Sequence, residues 1–253
     1  MTNKILLVLL SISTVLVPKS LDCTNFRPAS ASQVIENRQK IVVIDTGIVI
    51  TARNQKYLCD KSLHRDYTGT GLYDKHGHGS HIASIIIEGM NYKTQCLVII
   101  KYFDPIAAVN AGLTTVLSLK YAKSLSPTVV NYSSSGFGRV AGEKAAIEDL
   151  LVAGVTVVVA AGNDSINLTT ENCQIYPACH RFAFRHFENF AVVANGRKIG
   201  SFVLMDKSSN RGAVVTHVRN GTVRAFVGND IIEMNGTSQA AAKFSKEKIK
   251  GRQ

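Results

Sequence analysis

The chain has 253 residues, 45% of them hydrophobic and 19% charged. That excludes a disordered polymer and allows one sizeable core. Its net charge of +11 invites an anionic partner, but there is no Trp, aromatics make up 7%, and no basic stripe is interleaved with them, so nucleic-acid binding is not indicated.

The N-terminus, "MTNKILLVLLSISTVLVPKS", places Lys4 before an apolar run from Ile5 to Val17 and then small and polar residues. This is the pattern of a secretory signal peptide over residues 1–20. The run is too short for a stable membrane span, and an uncleaved anchor is the alternative. Cys23 follows Asp22, where a lipoprotein signal would carry a small residue. Residues 21–38 are polar and aperiodic, a leader or short surface segment.

Apolar β-branched runs then recur: "IVVID" (41–45), "CLVIIKY" (96–102), "TVVN" (128–131), "VTVVVAA" (155–161) and "FAVVAN" (190–195). Runs apolar on both faces predict buried parallel strands. Helical patterns lie between them. One places Leu113, Val116, Leu117 and Tyr121 on a common face; another places Val140, Ile147, Leu150 and Leu151 together and stops at Gly154. Residues 199–234 are short segments broken by Gly, Asn and Ser, expected as hairpins or edge strands before a final helix. The fold class is therefore α/β: three layers, α/β/α, with a mostly parallel central sheet and a single domain over residues 39–253.

There are five cysteines. Cys173 and Cys179 are close enough in sequence to close a short loop; Cys59, Cys96 and Cys23 remain, and the pairing is open. Disulfides would suit an exported protein.

In open α/β sheets ligands bind beyond the carboxyl ends of the strands. Asp45 ends "IVVI", Asn163 follows "VTVVVAAG", "YSSSGFG" follows "TVVN", and Ser238 follows a Gly-Thr turn at a helix start. "DKHGHGSHIASIII" opens another helix, with Ile82, Ile85 and Ile86 at helical spacing. Acid, imidazole, amide and hydroxyl thus lie on turns able to converge. A serine hydroxyl needs a base, the base needs a carboxylate to fix its tautomer, and a tetrahedral intermediate needs donors at its oxyanion.

"VVIDTGI", "HGHGSHIAS", "VVNYSSSG", "AAGND" and "NGTSQAA", in this order, resemble the motifs of the subtilisin-like serine peptidases. The resemblance runs from about residue 41 to 243. It implies an exported serine endopeptidase acting on protein or peptide substrates, with Asp45, His78 and Ser238 as catalytic residues and Asn163 as oxyanion donor. Ser133, Ser134, Ser135 and Gly136 would line the substrate cleft, receiving an extended peptide by strand addition. His81 falls on the family's second, supporting histidine, and His76 on no motif position. No cofactor is required; relatives bind structural calcium, for which no ligand set maps here. A histidine metal site is disfavoured by the flanking Gly77 and Gly79 and the lack of a matching Cys or carboxylate cluster. Asp74 belongs to the turn before the helix.

The sequence departs from the family in places. Gln239 replaces a Met, "AAAK" lacks a proline, only 15 residues follow Ser238, and the leader is short. A catalytically inactive binding protein of the same fold is the alternative reading, and a basic-surface module using the tail "KFSKEKIKGRQ" a third. Five Asn-x-Ser/Thr sequons, at Asn131, Asn163, Asn167, Asn220 and Asn235, three of them inside these motifs, point to a bacterial source, secreted or periplasmic, and the protein is expected to be a monomer.

Overall fold

The computed structural model describes residues 36–200 and 202–250. The expected signal segment, Cys23 and most of the 21–38 leader lie outside them. In chain order the elements are β1 (Gln39–Asp45), β2 (Arg65–Asp66), α1 (His78–Ile87), β3 (Gln95–Lys101), α2 (Ala111–Ser124), β4 (Val129–Tyr132), β5 (Gly136–Phe137), α3 (Glu143–Val152), β6 (Thr156–Ala160), β7 (Asn167–Leu168), β8 (Ile175–Tyr176), β9 (Phe190–Ile199), β10 (Phe202–Met205), β11 (Arg211–Gly212), β12 (His217–Arg219), β13 (Thr222–Val227), β14 (Asp230–Asn235) and α4 (Thr237–Lys250).

The main sheet runs β10-β9-β6-β4-β1-β3-β2, with β12 also on β9. All its pairs are parallel except β9–β10. The five β-branched runs are its five central strands, and alternation along each divides their side chains between two cores. Val42, Ile44, Val98, Ile100, Val130, Val157 and Val159 face α2 and α3, while Ile41, Val43, Leu97, Ile99, Val129 and Val158 face α1 and α4. Each such side chain, withdrawn from water, contributes about 1.5–3 kcal/mol. The three-layer α/β/α expectation holds. Within 199–234, β9–β10 and β13–β14 are antiparallel hairpins, but β12 adds to β9 in parallel.

The expected face of α2 is wrong. Leu113 is 58% exposed and Leu117 39%, whereas Thr114, Thr115, Ser118, Leu119 and Ala122 are buried. Small side chains let the helix lie close to the sheet, and the threonines are satisfied there: Thr114 Oγ1 donates to the Ala111 carbonyl at 3.1 Å, and Thr115 Oγ1 meets Tyr132 Oη at 3.3 Å. The face expected for α3 holds for Ile147, Leu150 and Leu151, and Gly154, at φ 78°, ends that helix.

The start of α1 is buried and needs partners for its free amides. Asp74, 3% exposed, supplies most of them. Its carboxylate accepts from Gly77 N (2.8 Å), Ser80 N (2.8 Å), Ser80 Oγ (2.7 Å), His76 N (3.1 Å) and Thr46 Oγ1 (2.9 Å). Thr46 Oγ1 in turn accepts from Gly79 N at 2.9 Å. The helix therefore starts against the end of β1, so closely that a Cβ on Gly79 would lie 2.4 Å from the Gly47 carbonyl oxygen. Burial pushes the Asp74 carboxyl pKa up, but its hydrogen bonds from Ser80, Gly77 and Thr46 outweigh this and hold it below the ordinary value. The stabilisation is then complete above the unfolded pKa, about 3.9, and is lost as pH falls through the lowered folded value.

Two disulfides cross-link the fold: Cys59–Cys96, 37 residues apart and buried in the core, and Cys173–Cys179, 6 apart.

Two predictions follow from these constraints. Asp74→Ala should cost about 3 kcal/mol or more at pH 7, and its deficit relative to wild type should shrink as pH falls below about 4; urea unfolding at both pH values reads this. Cys59→Ala/Cys96→Ala should lower unfolding free energy by about 4 kcal/mol and Cys173→Ala/Cys179→Ala by about 2 kcal/mol, because the longer loop closes more chain entropy.

Candidate active site

The sheet order reverses around β1: the next long strand, β3, lies on one side and β4 on the other. A crevice opens at such a point beyond the strand ends. Asp45, the last residue of β1, sits at its base, 3% exposed. One oxygen of its carboxylate, Oδ1, accepts the Thr46 amide at 2.8 Å and meets His78 Nδ1 at 2.7 Å. His78 is the first residue of α1, following Gly77 at φ 88°. Its helix start is fixed by Asp74 and Thr46, so the imidazole arrives on Asp45 without a long flexible approach. Burial lowers the His78 pKa, but the charge and hydrogen bond of Asp45, with a further contribution from Asp74, reverse the sign and raise it above its ordinary value.

Ser238 enters from the opposite end of the chain, in the first turn of α4, 8% exposed. Asn163 latches this turn in place. Its side-chain oxygen accepts from Thr237 N at 2.9 Å and Thr237 Oγ1 at 3.1 Å, while Thr237 Oγ1 accepts Gly162 N at 3.1 Å. With its oxygen so held, the exposed Asn163 side chain keeps its two N–H donors for a ligand. The Ser238 amide lies in the turn where helix N–H groups lack intrahelical acceptors.

The Ser238 hydroxyl donates to the Ser133 carbonyl at 3.1 Å. The single Ser133 hydroxyl hydrogen is shared between Asn131 Oδ1, at 2.8 Å, and the Ser238 carbonyl, at 3.2 Å, and Asn131 Nδ2 donates to Ser245 Oγ at 3.0 Å. Ser133, predicted to line the cleft, thus also ties β4 to α4. Ser134 and Ser135 line a cleft of about 220 Å³ with Asp45, His76, His78 and Phe103. Gly136 opens β5 and pairs with Tyr176 of β8.

The other histidines divide. His81 is fully buried; its Nε2 meets the Ile232 carbonyl at 3.1 Å and its Nδ1 has no partner. That pins α1 to the β13–β14 hairpin. His76 lines the cleft, its ring 6.1 Å from that of His78. Among the described residues, the one group with metal-ligand spacing is Glu36, Cys59 and Cys96, whose sulfurs are joined in a disulfide. Gln239, which replaces the family's methionine, is buried and folds back on Met234, its Nε2 3.7 Å from the sulfur.

Thr46, Asp74 and Thr237 were missed as site residues. A signal for Asp74 exists in retrospect: an Asp three residues before Gly77 and six before Ser80 matches an extended helix cap. Thr46 and Thr237 act through tertiary contacts that no local pattern shows.

Comparison with known proteins bears on the family and the fold. The subtilase family model matches residues 36–246. An extracellular serine proteinase of Thermus sp. (strain Rt41A) is 33% identical over 131 residues, 49% of this chain and 30% of that protein. Subtilisin-like protease 11 of Arthroderma gypseum (strain ATCC MYA-4604 / CBS 118893) is 30% identical over 186 residues, 69% of this chain and 42% of that protein. The chain spans less than half the length of these curated relatives. The crystal structure of a lanthipeptide protease superposes with a TM-score of 0.66 at 17% identity, covering 82% of this chain and 71% of that one. The fold is therefore subtilisin-like, and the match over residues 36–246 shows that the chain belongs to the subtilase family.

Proposed function

We propose that the chain is an exported serine endopeptidase that hydrolyses peptide bonds through an acyl-enzyme. The observation that carries this reading is the Asp45–His78 pair at 2.7 Å, set in a subtilase fold whose last helix presents Ser238 beside Asn163. Ser238 attacks the scissile carbonyl. His78 takes its proton through Nε2 and later delivers it to the leaving amine, while Asp45 holds Nδ1–H and stabilises the imidazolium. The Asn163 side-chain N–H and the Ser238 amide donate to the oxyanion. In the resting arrangement the Ser238 hydrogen rests on the Ser133 carbonyl. A peptide strand added along residues 133–136 competes for that carbonyl and frees the hydroxyl to turn toward His78.

Two disulfides and an extracellular relative support export through the signal segment, and no described helix is long and apolar enough to cross a membrane. A bacterial source and a monomer acting on protein or peptide substrates complete the reading. Asn131, one of the five sequons, is fully buried and carries no glycan in this fold.

One observation favours the second reading, an inactive binding protein of the same fold: the Ser238 hydroxyl donates to Ser133 and not to His78. Fluorophosphonate labelling separates the two. A single adduct on Ser238, absent in His78→Ala, is expected; a folded, unlabelled wild-type protein would sink the peptidase reading. Only neutral His78 accepts a proton, and its folded pKa is raised. The labelling rate should therefore rise with pH through an apparent pKa above about 6.5. Asp45→Asn removes the raising cause and leaves burial, so this limb should move to lower pH while the rate at its plateau falls by about 10⁴.

A further inference from the structure

Beside the catalytic cleft, and sharing Tyr102, Phe103, Ser134 and Ser135 with it, is a second cavity of about 340 Å³. A volume of this order holds one large side chain. Its lining is unusual in the way it spends its hydrogens. Glu143, 1% exposed, contributes a carboxylate, which only accepts. Tyr132 Oη donates to Glu143 Oε1 at 3.1 Å. Since that hydrogen is committed, the 3.3 Å contact between Thr115 Oγ1 and Tyr132 Oη is donated by Thr115. Tyr102 Oη donates to Ser134 Oγ at 2.7 Å. Three hydroxyl hydrogens, those of Tyr132, Thr115 and Tyr102, are thus used within the wall. Burial raises the pKa of both phenols, so neither supplies a negative charge. The other Glu143 oxygen, Oε2, meets His180 Nε2 at 3.0 Å.

The remaining walls are aromatic rings and small apolar residues such as Ala111, Gly112 and Val140. Tyr176 is buried, while Phe103 and Phe137 are exposed at the rim, 37% and 65%. A lining that offers acceptors and one anionic group, between ring faces, complements a group with donors, a positive charge and a flat face. Guanidinium has all three; ammonium lacks the plane.

We propose that this cavity receives an arginine side chain of the peptide substrate, and that Glu143 is the residue that sets the preference. The proposal rests on the peptidase reading for the arrival of a peptide in the cleft, and it deepens that reading by naming a substrate class. Arg139 is the like charge nearby: its Nε donates to Tyr176 Oη at 2.7 Å, and its guanidinium stands 5.6 Å from the centre of that ring without lining the cavity. Removing it should strengthen the preference.

The test compares short peptides in which each position in turn carries arginine or citrulline, its neutral isostere. Cleavage by the full chain and binding to the Ser238→Ala protein, read by fluorescence anisotropy, are measured in parallel. At one position arginine should be favoured by about tenfold or more in both readouts, the scale of a desolvated charge-assisted contact. In Glu143→Gln that ratio should fall to about twofold, and in Arg139→Ala it should rise. Equal treatment of arginine and citrulline at every position in wild type overturns the proposal whether or not any variant folds. So does a ratio that survives Glu143→Gln. Arginine-selective binding without cleavage would keep the cavity assignment and overturn the peptidase reading, while cleavage indifferent to charge would do the reverse.

Discussion

A helix that begins inside a protein must find acceptors for its first amides, and the first turn of α1 begins inside this one. Asp74 and Thr46 answer that demand, and the position of His78 follows from their answer. Were those amides left to water, the start of α1 would have to move outward, and the imidazole would leave Asp45 with it. The hydrogen bond of 2.7 Å between Asp45 and His78 is thus the visible end of a longer arrangement that runs through the Asp74 carboxylate. The same arrangement explains why Gly79 approaches the backbone of Gly47 with no room for a side chain.

The serine side of the crevice is built by a different means. Here an amide side chain, Asn163, gives its oxygen to the helix start. Ser133 and Asn131 complete the attachment through the interior, reaching Ser245 nearly two turns further along α4. One half of the site is fixed by a buried charge and the other by neutral polar groups. Acid should therefore loosen the histidine half first, since only that half depends on an ionised carboxylate for its helix start.

The legible part of this molecule was the part governed by period and composition. The β-branched runs are buried on both faces, so their pattern could hardly mean anything except central strands. The motif residues Asp45, His78, Asn163 and Ser238 stand at strand and helix ends, where local sequence marks a boundary. The face of α2 was illegible because burial there follows fit and not hydrophobicity: Thr114, Thr115 and Ser118 are inside, and Leu113 is outside. The carboxylate of Glu143 was equally hidden. It stands in an ordinary helical stretch, and its partners Tyr132 and His180 are 11 and 37 residues away. Polar networks closed across such distances leave no spacing to read.

The last of these features to be made is the serine turn. Ser238 follows His78 by 160 residues (238 − 78), and α4 packs on α1, β4, β6 and β9, which all precede it. A chain made from its N-terminus carries Asp45 and His78 for most of its synthesis before Ser238 exists. Ser238 is in place only when α4 has packed on the sheet. Topology itself thus orders the assembly of the crevice, with its serine side last.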